Sequence, residues 1–224
     1  MKIMYKFLIC LGLVLFLTPI ISGQDLSRYR KFSLGTSLAD LSKQVGPYSH
    51  ETTLAHQRPA VIQEMTFWPL SPSRSAVGLE PVSQILFSFC NGELYRIMVT
   101  YERDAIEGLT EEDMVQAVST QYGTATRFYP EINFPTNNVY ASPEMIIARW
   151  GDSENAVNLL RSGDLTSYRL AVFSKRLDAQ ADAAIAESVR LDKQEAPQKE
   201  VDRQKKEADD LEATRQKNQK TFRP

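Results

Sequence analysis

Two short stretches constrain this chain more than anything else in it: GTSLADLSKQVG at 35–46 and LTEEDMVQAVSTQYG at 109–123. Each carries a hydroxyl residue suited to cap a helix (Ser37, Thr110), an aspartate three residues later (Asp40, Asp113) and a closing glycine (Gly46, Gly123). The hydroxyl oxygen takes up an orphan N–H of the first turn, the aspartate reaches back to the cap, and the glycine stops the helix. Glu111 and Glu112 favour the positive end of the second helix, and Leu109 with Met114 fits a hydrophobic staple. The spacing predicts helices over 38–45 and 111–122. Three apolar runs of strand character follow each helix, at 60–68, 82–89 and 94–101, then at 144–150, 155–161 and 167–174. Trp68 and Trp150 close the first run of each set, and prolines such as Pro69, Pro72, Pro130 and Pro143 punctuate the connections. The pattern predicts an α+β domain over 24–176 built of two helix-plus-antiparallel-β-meander repeats, about 32–101 and 109–176, followed by a charged C-terminal helix.

The turn CNG at 90–92 sets the register of one hairpin. A two-residue Asn-Gly turn would set Phe87 against Arg96. A three-residue loop sets Phe87 against Tyr95 and Ile85 against Ile97, gathering Ile85, Phe87, Phe89, Tyr95, Ile97 and Val99 on one face. A one-residue slip flips every side chain, so the three-residue loop is expected, with Cys90 in the turn.

Neither end of the chain resembles this middle. Lys2 and Lys6 precede an apolar run from Phe7 to Ile21, and Ser22 and Gly23 are small. That is the layout of a signal peptide over 1–23, cleaved before Gln24, with a run short for a span of about 20 residues. An uncleaved anchor is the other reading. Cleavage leaves no stable membrane span. It removes two lysines and no acid, taking the formal charge of the 224-residue chain from −2 to −4. It also removes Cys10, so Cys90 is left alone and the fold rests on packing without an internal disulfide. From Leu177 on, Ala, Glu, Lys, Gln and Arg dominate. Leu177, Ala181, Ile185 and Val189 make one narrow stripe, Pro197 is expected to kink or end the helix, and beyond it only Val201, Ala208 and Leu211 have heptad-like spacing. A docked proximal helix and a mobile distal one are expected over 177–224, the distal part offering a route to self-association.

The segment from Gly35 to Gly46, a Trp-bearing strand, and then F-x-x-G-x-L at Phe89, Gly92 and Leu94 resembles the fold shared by β-lactamase-inhibitor-protein-like domains and the small lipoprotein of the outer-membrane β-barrel assembly machinery. The tandem arrangement is similar to the inhibitor branch. The resemblance implies helices packed on an antiparallel sheet whose exposed surface binds other proteins. Ile9 before Cys10 departs from a lipid-attachment site, and one thiol stands where the inhibitors carry disulfides.

Little in the chain suggests chemistry. His50 and His56, six apart, point to different sides of a helix or lie about 20 Å apart on a strand, so neither a local metal chelate nor a metalloprotease helix is expected. GTSLA at 35–39 is one residue short of a nucleophile elbow, and Ser37 as a cap explains it. No phosphate-cradling glycine motif is present, and the near-neutral charge disfavours nucleic acid. No catalytic, cofactor-binding or metal-binding residue is assigned, and no cofactor. The chain is expected to be an exported, non-enzymatic protein, periplasmic or extracellular, acting on an unidentified protein partner. The alternative is an envelope enzyme using Cys90 or a carboxylate pair.

Overall fold

The computed structural model describes residues 24–46, 50–69, 82–126, 131–133, 144–162 and 167–223. The signal segment expected over 1–23 and most of the proline-bearing connections lie outside these residues. The chain runs β1 (Arg28–Tyr29), β2 (Phe32–Ser33), α1 (Leu38–Val45), β3 (His50–His56), β4 (Ile62–Phe67), β5 (Val82–Cys90) and β6 (Glu93–Tyr101). It continues through α2 (Arg103–Ile106), α3 (Glu111–Tyr122), β7 (Glu131–Asn133), β8 (Glu144–Gly151), β9 (Asn155–Ser162), β10 (Tyr168–Ser174) and α4 (Lys175–Thr221). The fold is α+β. Eight strands form one antiparallel sheet in the order β3-β4-β5-β6-β10-β9-β8-β7, and β1 and β2 form a separate hairpin. Each half of the sheet is thus a four-strand run preceded by a helix, and the halves meet where β6 pairs with β10.

The helices begin and end on the residues that local chemistry demands. Ser37 Oγ accepts from the Asp40 N–H at 3.1 Å. Thr110 and Asp113 close a full capping box, Thr110 N–H donating to Asp113 Oδ2 at 2.9 Å and Asp113 N–H to Thr110 Oγ1 at 3.2 Å. Gly46 and Gly123 end the helices at φ of 81° and 84°, where a side chain is strained. Both helices and the β1–β2 hairpin cover one face of the sheet. There Leu41, Met114, Val115 and Val118 join Phe32, Phe87, Ile97, Trp150, Leu159 and Leu170 in the main core. Trp150 donates its indole N–H to the Gly123 carbonyl at 2.8 Å, tying β8 to the end of α3.

The β5–β6 register corrects the expectation. Asn91 (φ 51°) and Gly92 (φ 83°) are both left-handed, as a two-residue hairpin turn requires, and Cys90 pairs with Glu93. A bulge then intervenes: Phe89 pairs with Leu94 but Ser88 with Arg96, so one extra residue sits on β6. Phe87 therefore faces Ile97 and Ile85 faces Val99. The inner face keeps Ile85, Phe87, Phe89, Ile97 and Val99, gains Leu94, and loses Tyr95, which the bulge turns to the other side. Cys90 is the last residue of β5 and is buried, not in the turn. Trp68 also departs from expectation, lying just past β4 at 44% exposure. The strand β3 was not expected from its sequence, and Pro197 does not end the C-terminal helix, which is continuous over 47 residues.

Candidate protein-contact surface

The opposite face of the sheet is where α4 docks. Its first residue is held by the Lys175 N–H on the Glu154 carbonyl at 2.9 Å. Leu177, Ala181 and Ile185 then pack with Ile62, Cys90 and Tyr95 in a second apolar cluster. Polar contacts mark the helix's path. Arg96 of β6 donates from Nε to Asp178 Oδ1 at 2.7 Å, with Asp182 3.7 Å from Nη2. Three strands further on, Ser188 Oγ lies 2.9 Å from His56 Nδ1 at the end of β3. Ten residues of helix rise about 15 Å, and β6 to β3 is three strand spacings, about 14 Å. The helix therefore crosses the strands of the first half nearly at right angles and leaves the sheet over its β3 edge.

Past that edge a charged clasp holds one more turn and a half. Arg58, in the β3–β4 connection, donates from Nη1 to Glu195 Oε1 at 2.6 Å and from Nη2 to Asp192 at 3.3 Å. Lys199 sits 3.2 Å from Glu195. The Arg58 guanidinium and then Lys199 hold the Glu195 carboxyl down at about 2. Every described residue from 196 onward is exposed. This arm is laced by pairs such as Arg203–Glu200 and Arg215–Glu212, which stabilise a helix internally without packing. From Val189 to Thr221 the overhang is about 50 Å.

This geometry accounts for the residues singled out as candidate chemistry. Cys90 lies beneath α4, and burial, followed by the charge of Glu93, pushes its thiol up, the opposite of a reactive cysteine. Tyr95 is pushed up to about 12 by burial in the same cluster. Burial also raises the Asp178 carboxyl, an effect the Arg96 guanidinium partly offsets. Ser37 is a cap. His50 Nδ1 lies 2.8 Å from the Gly46 carbonyl, whereas His56 is at the other end of β3 on Ser188, so the structure does not bring the two together. The Ser188–His56 contact has the atoms of a nucleophile and base but not the setting. Ser188 is almost fully buried in mid-helix, where neighbouring backbone N–H groups are spent on the helix and none is left to hold an oxyanion. Asp192 and Glu195, one and two turns on, are engaged by Arg58 and Lys199. Among the described residues no three His, Cys, Asp or Glu side chains converge as metal ligands, and no helix is long and apolar enough to cross a membrane.

What the surface offers is exposed apolar area along the β3–β4 hairpin and single apolar side chains spaced along α4. Eight large apolar side chains are exposed among the described residues. Leu54, Val61 and Trp68 lie on or beside the β3–β4 hairpin, and Val189, Val201, Leu211 and Phe222 lie on or just past α4. Only Leu109 lies elsewhere. The sequence carries no distinct signal for this surface: Trp68 reads as a strand aromatic destined for the core, and Leu54 stands alone among polar neighbours. Comparison with known proteins finds no family model, no curated protein and no solved structure that matches this chain.

Proposed function

We propose that this chain is an exported protein, periplasmic or extracellular, that works by holding another protein rather than by transforming a small molecule. The β3–β4 edge and α4 form the contact surface. The observation that carries this reading is the exposure of Leu54, Val61 and Trp68 together along the β3–β4 hairpin at the edge of the sheet. Scattered singly they would need no explanation; three exposed on one edge hairpin of the sheet offer anchors for a protein contact. The buried, suppressed thiol of Cys90 weighs against the thiol-enzyme alternative. Export rests on the Lys2–Gly23 segment alone.

The same reading takes the two halves of the sheet as repeats of one unit. Its supports are the two capped helices, each ahead of a four-strand run, and the meeting of the last strands, β6 and β10, at the centre of the sheet. This arrangement is in keeping with the resemblance to tandem inhibitor-like domains, in which the sheet carries the protein contact.

The test is capture of partners from an envelope extract by the native chain and by a Trp68→Ala, Leu54→Ser double variant. Both side chains are about half exposed, so the variant should unfold within about 0.5 kcal/mol of the native chain. Capture should fall about tenfold or more, as for loss of two interface anchors. Undiminished capture, or a hydrolytic or thiol activity that disappears in Cys90→Ala, contradicts the proposal.

A further inference from the structure

The two outer strands of the sheet differ in a way that matters for association. Strand β7 is three residues long, and a short edge offers little to pair with. Strand β3 is seven residues long, His50–His56, and pairs with β4 on one side. Its five central residues, Glu51 to Ala55, are all exposed. HETTLAH contains no lysine and no proline, and Leu54 stands 49% exposed in it; a bulge at Ala55 interrupts its far end and leaves His50 to Leu54 as the regular edge. Helix α4 crosses β3 only at His56, which leaves Glu51 to Leu54 clear.

We infer that the open edge of β3 pairs with β3 of a second copy of this chain, antiparallel and two-fold about Thr53, joining the two sheets. The inference rests on the contact reading above and names its partner. The sequence of the strand is self-complementary in this register. Thr52 of one copy faces Leu54 of the other, which brings the two exposed leucines diagonally together within side-chain reach. Glu51, the one acid of the strand, faces Ala55 of the second copy and lies towards its His56–Arg58 end, so no like charges meet. The two-fold is normal to the joined sheet, so each arm, leaving over the β3 edge, runs out above the outer face of the other copy's sheet, in the opposite direction to its mate and about 20 Å from it at the seam. Val201, Ala208 and Leu211 lie on the side of α4 away from the docked stripe, too sparse to form a coiled-coil seam. Stable interfaces bury about 1,200 Å² or more, beyond what two seven-residue edges and their leucines supply, so the dimer is a weak one.

Sedimentation equilibrium of the purified chain up to about 0.5 mM should show the mass rising towards twice the monomer. Leu54→Lys should weaken association about tenfold or more while leaving the melting temperature unchanged. Spin labels at Thr53 should report the close approach of paired strands, whose Cα atoms are about 5 Å apart, whereas labels at Leu211 should stay far apart. A monomer throughout the range, a dimer indifferent to Leu54→Lys, or a dimer whose Leu211 labels are the close pair overturns the inference. A monomer in which the Trp68→Ala, Leu54→Ser variant still loses partner capture overturns self-pairing alone and leaves the contact reading standing.

Discussion

Replacing Phe87 with alanine is expected to cost about 3–5 kcal/mol in urea or thermal unfolding. Phe87 is completely buried at the centre of β5, opposite Ile97 on β6 and Met65 on β4. Its ring meets that of Phe32 edge-on, 5.0 Å between centroids, and Phe32 in turn meets Phe67. Truncation removes the apolar transfer of a whole ring and opens a cavity that three sheet strands and the β1–β2 hairpin cannot close without moving together. The edge-to-face ring pair adds to the loss. A measured cost below about 1 kcal/mol would mean that the β5–β6 register is not the one described here.

Ala181→Asp is expected to be as damaging, but by a different route. Ala181 is fully buried between the helix and the sheet, beside Ile62, Cys90, Tyr95 and Ile185. A carboxylate there lies in an apolar cluster with no assigned partner, since Arg96 is already engaged by Asp178. An uncompensated buried charge costs about 3–5 kcal/mol, and undocking the helix is the escape. Undocking uncovers Cys90, so the variant's thiol should react readily with an aromatic disulfide reagent while that of the native chain stays protected. If Cys90 reacts equally fast in both, α4 does not cover it.

These expectations show which parts of the molecule were legible from sequence. The two core helices were, because caps and stop glycines act within a few residues and need no tertiary information. Six strands were, because their apolar runs mark a face that must be buried. Strand β3 was not: HETTLAH has exposed positions throughout and therefore no buried face to leave a periodic trace. The hairpin register failed for a related reason. Matching apolar residues across the turn found the right inner face but used a longer loop to do so. The chain instead keeps the tight Asn-Gly turn and absorbs the mismatch in a bulge, a backbone device that apolar pattern does not encode. That one residue moved Tyr95 from core to helix dock and Cys90 from turn to beneath α4, which reshaped the candidate site. Pro197 was misleading because a proline removes one hydrogen bond and crowds one turn, a local cost that strong helix formers on either side carry through.

The central claim is that α4 divides into a part that belongs to the fold and an arm that belongs to the surface. Hydrogen exchange along the helix, read by mass spectrometry at a dilution where the chain is a monomer, tests it directly. Residues 177–188 should be protected as well as β5 and β6, and residues 196–221 should exchange close to the rate of an isolated, ion-paired helix. Protection of 196–221 equal to that of the sheet in the monomer would contradict this, placing the arm in the core and removing it from the contact surface.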